Sequence, residues 1–260
     1  MVSIITPAYN SAAYISEAIE SVLAQTFPQW EMWIVDDCSI DNTAQIVESY
    51  SQKDSRIKLE KLSQNVGPAE ARNIAIRRAQ GRYIAFLDSD DLWHPAKLEK
   101  QLNFIKNTGY AFIFSNYLRI KGKEGKRLNE IIVPYSIDYR MFLRNTIIGT
   151  LTVLIDRDKI GYFEMPNVRS SHDMALWCEL LKRGFKAYGI REVLAYYRVH
   201  EGSNTANKIK ASRDVWKVYR KVEGLVFFTS LINFVFYAMN AVRKRIYYKN
   251  PLGIIKPVKN

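Results

Sequence analysis

The sequence predicts an α/β protein with a Rossmann-like, mostly parallel sheet flanked by helices and with a C-terminal amphipathic helical extension. Short apolar runs of strand type alternate with amphipathic segments over the first 115 residues, which predicts the sheet. Polar residues follow these runs at the positions where parallel strands would end. After residue 207 the chain is basic and apolar with few acids, which predicts a separate extension.

In the first half, five strands and four helices are predicted in alternation. The strands are expected at 2–6, 31–35, 57–62, 82–87 and 110–115. The first helix carries an apolar stripe and is expected to be capped by Asn10 or Ser11, and the second by Asp41. The third is expected at 69–79, and Pro95 opens the fourth, which runs to about residue 106. This order implies parallel strands joined by right-handed crossovers.

The second half is less regular. Residues 119–130 are charged and predict a surface hairpin or loop, 150–155 and 193–199 predict strands, and 173–184 predicts a helix. No Gly-x-Gly-x-x-Gly follows the first strand and no Walker-type lysine motif is present in the sequence. These absences argue against dinucleotide oxidoreductases and P-loop NTPases.

Composition is ordinary for a globular protein, with 48% hydrophobic and 25% charged residues. The two cysteines, Cys38 and Cys178, lack metal-site spacing and indicate a reducing compartment. The first residues lack the features of a signal peptide, so we expect a cytoplasmic protein. Most of the net charge of +12 comes from residues 208–260, which contain twelve Lys or Arg and two acids. A basic tail of this kind suits an anionic partner such as a membrane surface.

Three acids, Asp88, Asp90 and Asp91, directly follow the apolar run 84–87. Carboxylates at the end of a buried strand are costly unless they are used, and Mg²⁺-type ions are often held by one or two carboxylates together with substrate phosphates. Ligands of open α/β sheets also bind at this edge. An isolated Asp-x-Asp is equally compatible with a solvated turn or a helix cap, so the metal-diphosphate interpretation depends on the rest of the chain.

Four motifs at successive strand ends support that interpretation. They are Pro7-Ala8-Tyr9-Asn10, Val35-Asp36-Asp37-Cys38-Ser39, Asn65-Val66-Gly67 leading into Ala71-Arg72-Asn73, and Leu87-Asp88-Ser89-Asp90-Asp91. Together and in this order they resemble the family 2 inverting glycosyltransferases of GT-A fold, over about residues 1–205. The resemblance is strongest to bacterial enzymes of cell-surface polysaccharide assembly, of the capsule, O-antigen or teichuronic acid type.

The resemblance assigns nucleotide contacts to the first three motifs. Pro7 and Tyr9 would line the base pocket, with Tyr9 stacking on the base, and Asp37 would bond a uracil ring edge while Asp36 supports the loop. Arg72 would reach the base or the diphosphate, which suits its planar donor fork. The structural alternatives are a sheet-edge cover for Tyr9, a turn residue for Asp37 and a surface helix residue for Arg72.

The same resemblance implies a divalent cation, Mn²⁺ or Mg²⁺, at the fourth motif. Asp88 would contact the ribose or the metal, and Asp90 would be a direct ligand. Asp91 is either an outer ligand or, as we favour, the cap of the helix before Pro95. In the late segment Tyr197-Arg198-Val199-His200, His200 would join the metal shell or touch a phosphate, and Arg198 would touch the diphosphate; a structural histidine is the alternative.

An inverting transfer needs a base on the side of the sugar opposite the diphosphate. In the family this place usually reads Glu-Asp, and the Asp is taken as the base; here it reads His172-Asp173. The resemblance therefore assigns the base to Asp173, which otherwise would only cap its helix. The change to His172 leaves that position either an acceptor or diphosphate contact or a loop residue. The Gln-x-x-Arg-Trp signature of processive synthases is missing, which favours transfer of one sugar per encounter.

These observations predict residues 1–207 as the glycosyltransferase domain, with 1–115 for the nucleotide and 116–207 for the acceptor. The expected reaction moves a sugar, most simply from a UDP-sugar, to a lipid-linked saccharide. Its rivals are transfer directly to polyprenyl phosphate, nucleotidyl transfer, for which the Gly-rich loop is missing, and a non-catalytic nucleotide-sugar binding module. Nucleic-acid binding is the weakest hypothesis because the basic residues alternate with apolar helical residues and do not form an exposed recognition surface.

The tail, residues 208–260, is predicted to attach the protein peripherally to the inner face of the cytoplasmic membrane. Residues 225–241 are apolar but shorter than the ~20 residues of a membrane span. Polar positions recur on one helical face, which favours an amphipathic helix in the membrane interface. A helix packed on its own domain or a partner and a true span are the alternatives.

Overall fold

A computed structural model describes residues 1–168, 170–200 and 208–249 of the chain. Within these residues ten strands form a single sheet. The strands are β1 Val2–Ala8, β2 Trp30–Asp36, β3 Ile57–Lys61, β4 Tyr83–Phe86, β5 Leu92–Trp93, β6 Phe112–Lys121, β7 Lys126–Ile131, β8 Ser136–Ile137, β9 Leu154–Asp156 and β10 Ala187–Val199.

The described residues also form nine α-helices. They are α1 Ile15–Leu23, α2 Thr43–Ser51, α3 Pro68–Arg78, α4 Lys97–Thr108, α5 Tyr139–Arg144, α6 Arg157–Ile160, α7 His172–Lys182, α8 Lys208–Lys217 and α9 Phe227–Lys249. A 3₁₀ turn precedes β9 at Thr150–Thr152, and a π-helical turn continues α8 at Val218–Val222.

The sheet has a parallel part and a mixed part. Strands β3, β2, β1 and β4 lie side by side in parallel, so β1, β2 and β4 all end at one edge. Beyond β4 the sheet is mixed, because β9 runs antiparallel to both β4 and β6 while β10 runs parallel to β6. The predicted α/β class with flanking helices is confirmed. Strands β6 and β7 form the surface hairpin expected near 119–130.

Packing of α7 on the sheet decides where its first turn lies. Trp177 is fully buried, and its ring contacts those of Phe86 and Phe112 at centroid distances of 5.7 and 5.2 Å. Phe86 is the last residue of β4, so the first turn of α7 is held near the edge where the parallel strands end. Burial of large aromatic side chains of this kind dominates core energetics.

Several predicted helix starts differ from the observed ones because the expected capping side chains bond to other loops. Helix α1 begins at Ile15, and neither Asn10 nor Ser11 caps it. Asn10 instead accepts the amide of Ile40, and the hydroxyl of Ser11 pairs with that of Ser89. Helix α4 begins two residues after Pro95. For α1, contacts between distant loops replaced the local cap that the sequence suggested.

The strand expected at 150–155 is only partly formed. Residues Thr150–Thr152 make a 3₁₀ turn, in which the hydroxyl of Thr152 donates to the carbonyl of Gly149 at 2.6 Å. Threonine hydroxyls often bond nearby backbone in this way and compete with sheet ladders. The turn leaves the hydroxyl of Thr150 directed at α7.

The C-terminal helices pack on the domain through an unexpected face. Ser230 and Asn233 of α9 are buried, and the side-chain amide of Asn240 donates to the carbonyl of Arg144 in α5 at 3.0 Å. The polar face of α9 therefore lies against the domain, as in the packed-helix alternative. We name Phe228, Ile232, Val235 and Met239 the apolar stripe of α9; these residues are spaced as one helical face and are 47–75% exposed.

No helix among residues 1–168, 170–200 and 208–249 is long and apolar enough to cross a membrane. The predicted boundary at residue 207 stays a prediction. Val215, Val218 and Tyr219, which follow it, belong to the main hydrophobic core.

Candidate active site

Three loops meet where β1, β2 and β4 end. The amide of Asn10, after β1, donates to the hydroxyl of Ser39, after β2, at 2.9 Å. The hydroxyls of Ser11 and Ser89 lie 2.7 Å apart and join the first loop to the loop after β4. Because the loops bond to one another, the motifs that lie apart in sequence form one continuous edge, as the sequence predicted.

Backbone strain concentrates at this edge. Among the described residues, the non-glycine residues with positive φ are Asn10, Cys38 and Ser171, with φ of 47°, 64° and 57°. Each lies in a loop that carries a predicted site residue: Asn10 after Tyr9, Cys38 after Asp37 and Ser171 before His172. Strained backbone costs of order 1–3 kcal/mol per residue and clusters at functional sites. The pattern supports the assignment of this edge as the site.

Pro7 and Tyr9 lie at the end of β1. Pro7 is half-buried in the strand, and Tyr9 is 51% exposed. An exposed aromatic ring of this kind offers a face on which a base can stack, so the geometry is compatible with the predicted role.

Asp37 differs from its expected arrangement. Its side chain is buried, and its two carboxylate oxygens accept the amides of Val66 and Gly67 at 2.7 and 2.9 Å. In the structure this carboxylate holds the loop before α3 rather than standing open to a uracil ring. Asp36 supports its own loop as predicted, since it accepts the amide of Ser39.

Arg72 connects two parts of the site. Its Nη2 pairs with Asp88, and its Nη1 lies 2.6 Å from Nε2 of His172. The guanidinium is almost fully buried, so Arg72 is not a surface helix residue. Burial lowers the pKa of His172, and the Arg72 charge lowers it further, which favours a neutral ring that accepts from Arg72. We name Asp88, Arg72 and His172 the bridging triad.

Asp173 directly follows His172, the last residue of the bridging triad, in sequence. It is half-buried in the first turn of α7, and its Oδ2 accepts the Thr150 hydroxyl at 2.9 Å. Helix α7 begins at His172 with Ser171 at the N-cap position, so Asp173 is not the cap residue. The Asp173 carboxylate is held by one hydroxyl, and the preceding residue, His172, contacts the buried guanidinium of Arg72. A carboxylate fixed in this way is suited to accept a proton from an incoming group.

Asp90 and His200 form a second polar pair. Nε2 of His200 lies 2.7 Å from Oδ2 of Asp90, and the ring of Tyr14 stacks on His200 at 5.3 Å. Burial raises the pKa of Asp90, and the nearby charge of Asp88 raises it further. The two carboxylates therefore repel each other, which is the situation that a cation relieves.

The donor set is suitable for a divalent cation that also binds phosphate. Within the described ranges, no group of three or more His, Cys, Asp or Glu side chains is arranged to hold a metal ion. Mg²⁺-type sites commonly use only one or two carboxylates together with substrate phosphates. Asp88 and Asp90 fit this pattern, and a buried oxygen of the adjacent Asp91, Oδ2, lacks a hydrogen-bond partner.

Asp91 and Arg198 have structural roles. The helix cap favoured for Asp91 is wrong, and its alternative role as an outer metal ligand stays a prediction. Asp91 does not cap α4: its Oδ1 accepts the amide of Arg198 at 2.8 Å, and the residue is buried. The guanidinium of Arg198 is fully buried and donates to the carbonyls of Asp90 and Gly122 and to Glu17. Arg198 therefore fixes the acidic loop from behind, and it does not extend toward a diphosphate.

Sequence reasoning missed three residues of this site: Thr150, Tyr14 and Glu17. Thr150 lies 23 positions before Asp173, in a segment predicted as a strand. Tyr14 and Glu17 contact His200 and Arg198 from α1 and its preceding turn. A polar Tyr and Glu near the start of an otherwise apolar helix were the available signal, but no motif marked them.

Comparison with known proteins identifies relatives of this chain. The family model described as Glycosyl transferase family 2 matches residues 3–164. The chain is 50% identical to the putative teichuronic acid biosynthesis glycosyltransferase TuaG of Bacillus subtilis (strain 168), over 95% of this chain and 98% of that protein. It is 39% identical to WfgD of Escherichia coli, a UDP-Glc:alpha-D-GlcNAc-diphosphoundecaprenol beta-1,3-glucosyltransferase, over 84% of this chain and 85% of WfgD.

Among solved structures, the crystal structure of S. aureus TarS 1-349 in complex with UDP-GlcNAc resembles this one with a TM-score of 0.66. The alignment covers 99% of this chain and 76% of TarS 1-349 at 23% sequence identity. At that identity the likeness shows a shared fold, which confirms the predicted fold type.

Proposed function

Because the chain belongs to glycosyl transferase family 2 and is a glycosyltransferase, we propose that it moves one sugar from a UDP-sugar to a lipid-linked saccharide, with inversion, in the assembly of a bacterial surface polysaccharide. One observation carries this proposal furthest: the bridging triad joins the loop after β4 to the first turn of α7, next to Asp173. A donor-side acid and a candidate base thereby belong to one site.

Arg72, Asp88, Pro7 and Tyr9 are the proposed donor contacts. A diphosphate that approaches Arg72 would exchange with Asp88 for the same guanidinium donors, because a planar fork suits phosphate and carboxylate equally. The UDP-glucose named for WfgD and the UDP-GlcNAc in the TarS complex support a uridine nucleotide as the donor carrier.

Asp88 and Asp90 are the residues that would hold Mn²⁺ or Mg²⁺, with His200 beside Asp90. A bound divalent cation would neutralise negative charge on the leaving diphosphate. His200 is paired with Asp90 in the structure, so it orients that carboxylate whether or not it binds metal itself.

Asp173 is the proposed general base. Its carboxylate takes the proton from the acceptor hydroxyl while that oxygen bonds to the anomeric carbon from the face opposite the diphosphate. The bond between the anomeric carbon and the diphosphate oxygen breaks, and the nucleoside diphosphate leaves with the electron pair. The Thr150 hydroxyl donates to Oδ2, which leaves Oδ1 for the acceptor.

The proposed location is the inner face of the cytoplasmic membrane. The acceptor named for WfgD is a diphosphoundecaprenol lipid, which supports a membrane-bound acceptor here. The exposed apolar stripe of α9 and the basic residues of 208–260 are the chemistry that binds an anionic bilayer surface. Transfer directly to polyprenyl phosphate and a non-catalytic binding module are the rival proposals.

Turnover with a panel of UDP-, GDP- and dTDP-sugars tests the proposal. It is measured with Mn²⁺ or Mg²⁺, with EDTA, and with lipid extract as the source of acceptor. We expect metal-dependent turnover of a UDP-sugar that falls about 10²–10⁴-fold in Asp173→Asn, as for loss of a general base, while UDP binding persists. Asp158→Asn, an exposed Asp on α6, is the matched control and should keep full activity.

Tight UDP binding without turnover on any acceptor would instead favour the binding module. Transfer to polyprenyl phosphate but not to lipid-linked saccharides would favour the first rival. Full activity in EDTA would remove the metal from the proposal, and full activity in Asp173→Asn would remove the base.

A further inference from the structure

An open apolar groove lies between α8 and α9, outside the candidate active site. It encloses about 580 Å³ and is lined by Ile209, Ser212, Arg213, Trp216, Lys217 and Phe234. The ring of Trp216 contacts the ring edges of Phe227 and Phe234 at 5.9 and 5.5 Å and forms the wall between the two helices. Pockets that hold small molecules commonly have volumes of about 300–1,000 Å³.

Helix α8 has three faces, one buried in the core, one apolar and one basic. The groove forms along the apolar face that the core does not cover. Val215, with Val218 and Tyr219 in the following π-helical turn, is buried in the domain core. Ile209 and Trp216, two turns apart, line the groove, and Ile209 is 69% exposed. The helix is therefore held firmly by one face while a second apolar face remains open.

The third face of α8 is basic. Lys210, Arg213, Lys217 and Lys221 recur at spacings of three or four residues and are all exposed. Arg213 and Lys217 also border the groove, and Lys217 pairs with Asp214 at 3.2 Å, a contact that a diphosphate would compete for. An apolar channel with cations along one rim complements a ligand that has a hydrocarbon chain and an anionic head.

The segment that follows α8 is fixed to α7. Lys182, at the end of α7, pairs with Glu223 at 3.1 Å. Val215 of α8 and Tyr219 of the π-helical turn belong to the same buried cluster as Trp177 and Cys178 of α7. Helix α8 is therefore anchored in the same core as α7, the helix whose first turn carries Asp173.

We propose that this groove binds the isoprenoid diphosphate part of the acceptor, with the first isoprene units against Ile209, Trp216 and Phe234 and the diphosphate at Arg213 and Lys217. The proposal rests on the lipid-linked acceptor of the proposed function. The groove has room for only the head-proximal units of a long chain, and the remainder would stay in the bilayer beside the apolar stripe of α9. The sugar attached to the diphosphate would extend toward Asp173.

Binding of farnesyl diphosphate to the full chain tests the groove without any transfer reaction. The part of the tryptophan fluorescence change that is lost in Trp216→Phe reports the binding. Trp216 lines the groove, whereas Trp30, Trp93 and Trp177 are buried in the core and the partly buried Trp33 lies on β2. We expect saturable binding that is at least tenfold tighter than that of inorganic diphosphate or of farnesol. UDP should not compete, because the donor site lies elsewhere.

Two variants on exposed positions examine the two halves of the ligand. Ile209→Ser should weaken farnesyl diphosphate binding about tenfold or more, and Arg213→Gln combined with Lys217→Gln should do the same. Matched controls outside the groove, Leu128→Ser on β7 and Arg191→Gln on β10, should change the dissociation constant less than twofold. All of these positions are exposed, so folding should be unaffected.

Three results would overturn the groove proposal directly: no saturable binding, equal binding by the wild type and the groove variants, or competition by UDP. A fourth would do so as well: the groove variants lose binding to phospholipid vesicles without isoprenoid as strongly as they lose binding to farnesyl diphosphate. The last result would make the groove a bilayer contact. A protein that binds farnesyl diphosphate here but transfers to no lipid-linked saccharide would contradict the proposed function alone. A protein that transfers normally in Ile209→Ser, with an unchanged KM for the lipid-linked acceptor, would contradict the groove alone.

Discussion

The edge of the sheet and the C-terminal helices differ in whether their side chains already have partners in the protein. At the edge, polar side chains are buried or half-buried and bonded to one another: Arg72 to Asp88 and His172, and Asp90 to His200. On α8 and α9, apolar side chains are exposed, such as Phe228 at 75% and Met239 at 61%.

This difference indicates how each region meets its ligand. At the edge a charged ligand must replace contacts that already exist, so binding is an exchange of partners whose net gain is modest. At the helices an apolar ligand or a bilayer removes surface from water without breaking a contact, at roughly 25 cal/mol per Å². The first region thus supplies selectivity, and the second supplies attachment.

The largest expected effect comes from breaking the support behind the edge. Arg198→Met removes a fully buried guanidinium and leaves Glu17 and the carbonyls of Asp90 and Gly122 without their donor. Removing one partner of a buried ion pair typically costs about 3–5 kcal/mol. We expect a loss at the lower end of this range in the free energy of unfolding, measured by urea denaturation, because Glu17 is partly exposed.

Arg191→Gln, an exposed arginine on the same strand, is the control and should change the free energy of unfolding by no more than about 0.5 kcal/mol. If Arg198→Met is as stable as the control but loses donor binding, then Arg198 acts on the diphosphate after all and the structural assignment is wrong.

The second prediction separates the two faces of α9. Phe228→Ser combined with Met239→Ser should leave the free energy of unfolding within about 0.5 kcal/mol, since both side chains are exposed. Binding to anionic vesicles should fall more than tenfold, because each large apolar side chain contributes about 1.5–3 kcal/mol when buried. Sedimentation with vesicles measures the second quantity.

Ser230→Leu on the packed face is the matched opposite. Ser230 is fully buried, so a larger side chain should overpack the interface and cost about 1–3 kcal/mol of stability while vesicle binding is unchanged. Equal vesicle binding by the wild type and the stripe variant would show that the tail does not attach through this face.

The sequence predicted the edge well because its signals are local. Each motif directly follows an apolar strand, and parallel strands bring such positions to one edge whatever the details of packing. The meeting of Asp88 and Arg72 follows from that topology, whereas His172 reaches them because Trp177 packs α7 on β4 and β6.

The sequence could not predict which partner each polar group takes. Asp37 is bound by two amides of a loop about 30 residues away, and Asp91 by an amide more than 100 residues away. Nor could periodicity decide which face of α9 meets the domain: an isolated amphipathic helix buries its apolar side, whereas here Asn233 and Asn240 have partners in α5. Such outcomes depend on shape and on distant donors.

The third prediction concerns pH. Burial and Arg72 lower the pKa of His172, so the folded protein favours the neutral ring. A histidine whose pKa is lower when folded costs no stability above its unfolded pKa of about 6.5, and it lowers the free energy of unfolding as the pH falls below that value. Each unit of difference corresponds to about 1.4 kcal/mol.

His172→Gln keeps a carbonyl oxygen that accepts from Arg72 but cannot be protonated. The free energy of unfolding of the variant should therefore fall less than that of the wild type between pH 7.5 and 5.5, with urea denaturation as the measurement. Parallel pH profiles of the two proteins would contradict a His172 ring that is neutral in the folded protein.

The smallest expected effect concerns the hydroxyl that holds the proposed base. Thr150→Val keeps the shape of the side chain but removes its hydrogen bond to Oδ2 of Asp173. A single hydrogen bond contributes about 0.5–1.5 kcal/mol, and somewhat more when it goes to a charged group. We expect kcat to fall about three- to tenfold with the KM for the donor unchanged, because Thr150 positions the base and does not contact the nucleotide. Thr150→Ser, which restores a hydroxyl, should recover most of the loss, and Thr108→Val, at the exposed end of α4, should have no effect. A rise in the donor KM without a change in kcat would mean that Thr150 acts on the donor instead. The hydrogen bond from Thr150 to Asp173 would then give no support to Asp173 as the base.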